Sequence, residues 1–202
     1  METVSWPSWD ADLFLALYDL FPHAGIWVVL FGYTTLLAPV ALMGVPLFLL
    51  VYQKAWNGRW KLWGKTIGAF GAGLLPTVIL MEISKALLAR DRPIAYFESR
   101  NIAIHFFPWH ELREGSFPSG GAGLLMLACL FVAFMIARNM KPNRRWISFA
   151  VGALVVVWFG YTRIYVSAHF LLDVVAGWIY GVVGFAICLA VWRRWMQETP
   201  ER

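Results

Sequence analysis

Long runs of apolar residues, separated by short polar or basic segments, make up most of this chain. A helix needs about 20 consecutive apolar residues to cross the hydrocarbon core of a bilayer. The runs that meet this requirement cover approximately residues 24–52, 66–89, 118–137, 146–165 and 170–192. Ahead of them, residues 10–21 mix aspartate with leucine, phenylalanine and tyrosine at helical spacing, which is typical of a short amphipathic helix in the membrane interface.

This pattern predicts an all-α integral membrane fold: a bundle of about five transmembrane helices preceded by an N-terminal interfacial amphipathic helix. We expect one membrane domain over residues 1–202. The interfacial helix falls within residues 1–23 and the transmembrane bundle within residues 24–192. The longest polar connection, residues 90–117, forms a loop on one side of the membrane.

The composition supports a membrane protein. Hydrophobic residues make up 60% of the 202 residues and charged residues 14%, which is too apolar for a soluble domain of this length. The net charge of +5 does not indicate nucleic-acid binding, because the basic residues lie at span ends and form no continuous patch. Cys129 and Cys188 fall in the middle of apolar runs and are expected to be small buried hydrophobes, not a disulfide or a metal pair.

The basic residues orient the predicted spans. Of the 17 basic residues, those in the first and third connections and in the C-terminal tail lie on the same side. They are Lys54, Arg59, Lys61, Lys65, Arg138, Lys141, Arg144, Arg145, Arg193, Arg194 and Arg202. The positive-inside rule makes that side cytoplasmic. We therefore predict a multi-pass protein of a bacterial inner (plasma) membrane, with the N-terminus and residues 90–117 outside and the C-terminus in the cytoplasm.

Polar and charged residues far apart in the sequence lie at span ends on the predicted external side. They are Lys85, Arg92, Ser119, Arg163, His169 and Asp173. Because a helical bundle brings the span ends on one side together, these residues can converge on a pocket at the outer membrane surface. The alternative is a structural charge cluster, in which arginine reaches the interface and histidine is satisfied locally.

A histidine and an aspartate follow the fourth predicted span. His169 and Asp173 are four residues apart at the start of a helix, so they share one face. A carboxylate that accepts a hydrogen bond from one ring nitrogen fixes the tautomer and leaves the other nitrogen basic and nucleophilic. Arg163 adds a planar fork of donors that suits phosphate oxygens. The pattern indicates a nucleophile with half of a phosphate-binding site.

Two earlier segments supply the other half. Lys85 and Arg92 are seven residues apart, which puts them two turns apart on one face if the helix continues that far, before Pro93 ends it. Residues 119–121 (Ser-Gly-Gly) open the third span, where free backbone N–H groups and a hydroxyl can cradle an anion. The alternatives are an ion pair between Lys85 and Glu82, and a simple N-cap role for the serine turn. Taken together, the groups suit phosphoryl transfer through a phosphohistidine, with no metal or cofactor.

The segments KALLARDRP, FPSGG and TRIYVSAHFLLD resemble the three motifs of the type-2 phosphatidic acid phosphatase superfamily of membrane lipid phosphatases. Their order matches, and so does the spacing within the first and third motifs. The resemblance implies an all-helical core in which His169 is the nucleophile and Asp173 its partner. It also implies a set of groups that bind the phosphoryl group. These are Lys85, Arg92, Arg163, Ser119 and the amide of Gly120.

Two positions depart from the family pattern. Thr162 stands where serine is usual, which is a mild change. Gly121 stands where the second motif normally ends in histidine, the general acid for the leaving group, and loss of such an acid commonly costs about 10²–10⁴-fold in rate. The chain is therefore an impaired or engineered inactive variant, or a relative that uses His110 or His105, or an enzyme whose leaving group scarcely needs protonation. The otherwise intact site favours the first, and a lipid diphosphate substrate fits the last.

The predicted function is hydrolysis of the terminal phosphate of a lipid phosphate or diphosphate at the external membrane face. Undecaprenyl diphosphate is the first substrate expected, followed by phosphatidic acid or phosphatidylglycerophosphate. Membrane lipids are the other expected partners, nucleic acid is not, and the oligomeric state stays open. If a second lipid replaced water, the same site would be a phosphotransferase. A non-catalytic lipid-phosphate binder or transporter is the other alternative, but the last two predicted spans lack the midplane polar residues that transport needs.

Overall fold

The computed structural model describes residues 6–37, 60–104 and 114–197, together with residues 40, 44, 45 and 47–49. These residues are helical or irregular, with no strand among them. The α-helices are α1 (Ser8–Tyr18), α2 (Trp60–Leu88), α3 (Pro93–Glu98), α4 (Gly120–Ala137), α5 (Arg145–Tyr165) and α6 (Leu171–Gln197). A π-helical turn (Val28–Gly32) and two 3₁₀ turns (Tyr33–Leu36 and Pro142–Arg144) complete the elements.

Within the described residues, four helical segments are long and apolar enough to cross a membrane. They are Gly64–Glu98, Gly120–Ala137, Pro142–Tyr165 and Leu171–Gln197. They correspond to the second to fifth predicted spans, so the prediction of an all-helical, multi-pass membrane protein is confirmed. The first predicted span, 24–52, begins within the described residues at the π and 3₁₀ turns. Its positions 38–39, 41–43, 46 and 50–52 lie outside them.

Glycine lets α4 and α6 pack backbone against backbone. A Cβ on Gly177 would collide with the carbonyl oxygen of Ser119, and a Cβ on Gly181 with that of Gly123. Close contact of this kind is how transmembrane helices associate where lipid removes the hydrophobic driving force. At the end of the same contact, the Ser119 amide donates to the carbonyl of Asp173 at 2.8 Å. The start of α4 is therefore fixed directly against the first turn of α6.

The N-terminal helix α1 packs one face on the bundle and leaves its other face exposed. Its buried residues Asp10, Phe14 and Tyr18 follow the i, i+4, i+8 spacing of one helical face. Phe14 packs in a cluster with Phe97 and Phe170, which join α1 to α3 and to the start of α6. The sequence pattern predicted the helix but assigned no role to its acids, whereas the structure buries one of them completely.

Candidate functional site

Most buried polar groups of the described residues gather where α2 ends, where α5 ends, and where α4 and α6 begin. Ser119 and Asp173 are fully buried, and Arg92, Arg163 and His169 are each no more than 9% exposed. Unpaired charges are rarely buried to this degree, because desolvation disfavours them. The structure thus brings together the groups that the sequence placed at one end of the bundle.

The backbone before α6 presents His169 to this cluster. After α5 ends, Ser167 adopts a left-handed conformation (φ 57°), and the amides of Ala168 and His169 both donate to the carbonyl of Arg163, at 3.0 and 3.2 Å. The ring Nδ1 lies 2.7 Å from the carbonyl oxygen of Ser116. A carbonyl can only accept, so Nδ1 carries the proton and Nε2 keeps its lone pair. This is the tautomer that a nucleophilic histidine requires.

Asp173 is near the histidine but does not hold its ring directly. The distance from Oδ2 of Asp173 to Nδ1 of His169 is 3.8 Å, beyond a hydrogen bond. Instead, the carboxylate accepts from Arg90 Nη1 at 2.5 Å, from Ser116 Oγ at 2.5 Å and from the amide of Phe170 at 2.9 Å. The sequence predicted that the Asp173 carboxylate fixes the tautomer of His169. In the structure, the Ser116 carbonyl accepts the hydrogen bond from Nδ1, and the carboxylate accepts hydrogen bonds from three other donors.

The surroundings keep His169 neutral. Burial lowers the pKa of His169 from 6.5 to about 4. The nearby negative carboxylate of Asp173 opposes this lowering of the pKa, and the positive charges of Arg163 and Arg92 reinforce it. Because the pKa lies far below 7, the ring is unprotonated at neutral pH, which is the form that can attack phosphorus.

Two polar groups of the site have no hydrogen-bond partner within the described part of the chain. One is the hydroxyl of Ser119, and the other is Nε of Arg163. Ser119 occupies the N-cap position of α4 but makes no capping hydrogen bond with its side chain, so capping does not explain it. A buried polar group left unpaired costs about 1–3 kcal/mol. An anionic oxygen at the start of α4 would satisfy such donors and the free amides of the helix end.

The remaining cations, Lys85 and Arg92, lie at two sides of the cluster. The Nζ of Lys85 lies 3.4 Å from the position that a Cβ on Gly120 would occupy, so the ammonium group is beside the first residue of α4. It also pairs with Glu82 at 2.6 Å, the ion pair that the sequence offered as an alternative role. Arg92 donates to the backbone carbonyl of Ala168 at 3.5 Å, next to the candidate nucleophile.

Sequence reasoning missed several residues that support this cluster. Arg90 bridges Asp173 and Asp10, Ser116 joins the histidine to Asp173, and Thr35 accepts a short hydrogen bond from Nη1 of Arg163. Arg90 lies in the KALLARDRP segment, but the two-turn spacing selected Lys85 and Arg92 instead. The continuous helix assumed for that spacing was wrong, because α2 ends at Leu88, Ala89 has a positive φ, and Pro93 begins α3. An aspartate on the apolar face of a predicted helix was the signal for Asp10.

The position of the missing acid is close to an aromatic ring. A Cβ on Gly121 would lie 3.4 Å from two ring carbons of Phe159. His105 and His110, the predicted substitutes, lie outside the described residues. Among the residues that the structure describes, there is no group of three or more His, Cys, Asp or Glu side chains that could hold a metal ion.

The family model described as PAP2 superfamily matches residues 66–197. The chain is 33% identical over 104 residues to an undecaprenyl-diphosphatase of Sulfolobus acidocaldarius, covering 52% of this chain and 44% of the relative. It is 30% identical over 134 residues to a lipid A 1-phosphatase of Rhizobium etli, covering 64% and 53%. The chain thus spans about half the length of the curated relatives that it matches.

Two solved structures share the fold. A crystal structure of Aquifex aeolicus LpxE matches with a TM-score of 0.68 at 21% identity, covering 93% of this chain and 99% of the other. The second is the crystal structure of a transmembrane PAP2 type phosphatidylglycerolphosphate phosphatase from Bacillus subtilis. It matches with a TM-score of 0.69 at 20% identity, covering 96% and 88%.

Proposed function

Because this chain belongs to the PAP2 superfamily, we propose that it is a membrane phosphatase that removes the terminal phosphate of a lipid diphosphate through a phosphohistidine. The observation that carries the proposal is the hydrogen bond from Nδ1 of His169 to the Ser116 carbonyl. This bond leaves Nε2 unprotonated in a buried site that also contains unpaired donors. The proposed location of the site is the external membrane face, on the strength of the basic residues at the opposite ends of the spans.

The first step is attack of Nε2 on the terminal phosphorus. An N–P bond forms, the bond from phosphorus to the bridging oxygen breaks, and the lipid monophosphate leaves. The cations Lys85, Arg92 and Arg163 neutralise the phosphoryl oxygens, while the Ser119 hydroxyl and the amides at the start of α4 donate to them. Water then cleaves the N–P bond, which releases inorganic phosphate and restores the histidine.

Asp173 has an electrostatic role in this scheme. When Nε2 is phosphorylated and Nδ1 keeps its proton, the ring becomes positively charged. The Asp173 carboxylate, 3.8 Å from Nδ1, stabilises that charge without exchanging a proton. Since the burial of His169 disfavours a positive ring, this nearby negative charge favours formation of the intermediate.

Gly121 is the reason for choosing a diphosphate. Glycine cannot protonate a leaving group, and a departing phosphate monoester needs a proton far less than a departing alkoxide. Undecaprenyl diphosphate is the first candidate, and the similarity to an undecaprenyl-diphosphatase supports testing it first. On lipid monophosphates we expect this sequence to act poorly.

Phosphate release from purified protein in nanodiscs tests the proposal. The panel contains undecaprenyl diphosphate, phosphatidylglycerophosphate and phosphatidic acid, and the proteins are the wild type, Gly121→His and His169→Ala. We expect the wild type to prefer the diphosphate. Gly121→His should raise monoester turnover by about 10²-fold or more, and His169→Ala should be inactive. Failure of both the wild type and Gly121→His to release phosphate from any lipid would sink the proposal.

The same experiment separates the alternatives. A phosphorylated acceptor lipid in place of free phosphate would make the protein a phosphotransferase. Lipid binding without turnover by either protein would make it a lipid-phosphate binder. A ³²P label on the protein that is stable to base and labile to acid, and that is absent from His169→Ala, would identify the phosphohistidine.

A further inference from the structure

An acid of the N-terminal helix reaches the first turn of α6. Asp10 is fully buried, although it lies 159 positions before His169 in the sequence. Its Oδ1 accepts from the amide of Leu172 at 3.2 Å, and its Oδ2 accepts from Nη2 of Arg90 at 2.7 Å. Both oxygens of the carboxylate are therefore used by groups outside its own helix.

The contact with Leu172 replaces a missing N-cap. The residue before α6 is Phe170, whose side chain has no oxygen, whereas an N-cap side chain normally accepts from the second or third amide of its helix. Asp10 performs this role from another helix, on the second amide of α6. Asp173, at the third position of α6, accepts from the Phe170 amide, which is the other half of a capping box. Because His169 directly precedes Phe170, these two carboxylates fix the backbone that carries the histidine.

Arg90 connects the two carboxylates. One guanidinium nitrogen donates to Asp10 and the other to Asp173, and the side chain is only 5% exposed. The guanidinium carbon lies 4.2 Å from the ring centroid of Trp6 and 4.1 Å from that of Phe170. A planar fork placed against aromatic rings leaves Arg90 little freedom to change partners.

We propose that Asp10 is a positioning residue for His169, acting on the start of α6 and, through Arg90, on Asp173. The N-terminal helix then helps to position the active-site histidine and is not only a membrane-interface element. This proposal rests on the phosphohistidine chemistry proposed above. It differs from the roles of Lys85 and Ser119, because Asp10 touches no group that would bind the substrate.

The kinetic test compares Asp10→Asn with Asp12→Asn. Asp12 is exposed on the same helix, so its substitution is a matched control for the loss of one negative charge. Asparagine at 10 can still accept from the Leu172 amide, but its NH₂ group opposes the guanidinium of Arg90. We expect kcat to fall about 10²-fold, the size of effect that a displacement near 1 Å produces. KM should be nearly unchanged, because the phosphate-binding groups stay in place.

A second control separates positioning from simple loss of stability. Phe14→Leu weakens the packing of α1 on Phe97 and Phe170 without touching the ion pairs. We expect it to lower the melting temperature in detergent while leaving kcat close to the wild type. If Asp10→Asn and Phe14→Leu lost kcat in the same proportion as they lost melting temperature, the positioning role would be wrong. It would also be wrong if Asp10→Asn matched Asp12→Asn, or raised KM with kcat unchanged.

A spectroscopic arm tests the inference even if no lipid is turned over. In ¹⁵N-histidine-labelled protein in nanodiscs, the His169 ring signals are assigned by their absence from His169→Asn. The wild type should show the neutral ring with its proton on Nδ1. Asp10→Asn should shift these signals or add a second tautomer, and Asp12→Asn should not. Unchanged His169 signals in Asp10→Asn would overturn the inference, whereas an inactive wild type with the expected shift would contradict only the proposed reaction.

Discussion

The two ends of the bundle are built in different ways. At the site end, buried side chains carry charges and are held by ion pairs of 2.5–2.7 Å. Toward the turn between α4 and α5, the structure instead has a cavity of about 490 Å³. Its described lining is apolar except for Ser148, and includes Val45, Phe48, Leu125, Cys129 and Gly152. The site depends on charge and on the direction of hydrogen bonds, whereas the cavity wall depends on apolar packing.

This difference predicts how each end responds to substitution. Hydrogen bonds and ion pairs have narrow ranges of distance and angle, so a small change at the site end alters function. Apolar packing next to open space has no such requirement, so the cavity end should tolerate a small added side chain. The following substitutions test that contrast in order of decreasing effect.

His169→Ala should have the largest effect. Removal of a covalent nucleophile leaves no route to the phosphohistidine, so we expect phosphate release to fall by at least about 10³-fold. The protein should stay folded, because the histidine is neutral and its loss strands no charge. Phosphate release measures the first outcome, and a thermal melt in detergent the second. Turnover above a tenth of the wild type would exclude His169 as the nucleophile.

Ser119→Ala should separate activity from stability. The Ser119 hydroxyl is buried without a partner in the described chain, so its removal takes away a cost and should leave the melting temperature equal or higher. As a donor to the transferring phosphoryl group, however, its loss should lower kcat by about 10²-fold. Ser148→Ala at the cavity end is the matched control, because that hydroxyl bonds only backbone carbonyls among the described residues. Equal activities of the two variants would contradict the assignment.

Two glycine substitutions compare the packing of the two ends. Gly181→Ala forces a methyl group against the backbone of α4, which should cost about 1–3 kcal/mol of stability. Gly152→Ala, beside the cavity, places its methyl group 3.6 Å or more from its neighbours, an ordinary contact, and should change stability little. Thermal melts of the two variants in the same detergent check this. A larger loss for Gly152→Ala would reverse the comparison.

The smallest effect concerns pH. Because the pKa of His169 is lowered to about 4, the ring should stay neutral between pH 7 and 5.5, where an ordinary histidine becomes largely protonated. The unfolded chain, with the ordinary value of 6.5, takes up the proton first, so the contribution of His169 to stability falls as the pH drops from 6.5 to 4. Histidine ¹⁵N shifts measured across this range give the pKa directly. A midpoint near 6.5 would mean that the site is not desolvated.

The helices of this fold could be predicted from the local sequence pattern, but the contacts inside the site could not. Apolar runs of membrane length predicted the spans, because lipid requires every backbone group to be satisfied within a helix. The same argument placed His169 and Ser119 at span ends on one side. It could not show that Arg90 lies between two carboxylates, since Asp10 and Asp173 are 80 residues before it and 83 after it.

The relation between His169 and Asp173 shows the limit of spacing arguments. A separation of four residues correctly put the two side chains close together, but His169 lies before α6 and not on its helical face. The spacing gave no information on other donors to the carboxylate, because Ser116 and Arg90 lie far upstream in the sequence. Sequence spacing can therefore predict that two side chains lie near each other. Which groups they form hydrogen bonds with depends on long-range contacts.

The glycine contact between α4 and α6 has a consequence for motion. With their backbones touching, and with the Ser119 amide bonded to the Asp173 carbonyl, the two helices cannot slide past each other without breaking that contact. The start of α4, which we propose binds the phosphoryl group, and the segment that carries the histidine should therefore move as one rigid unit. For the proposed lipid substrate, we therefore expect entry to be limited by movement of the surrounding elements and not by rearrangement of the reacting groups.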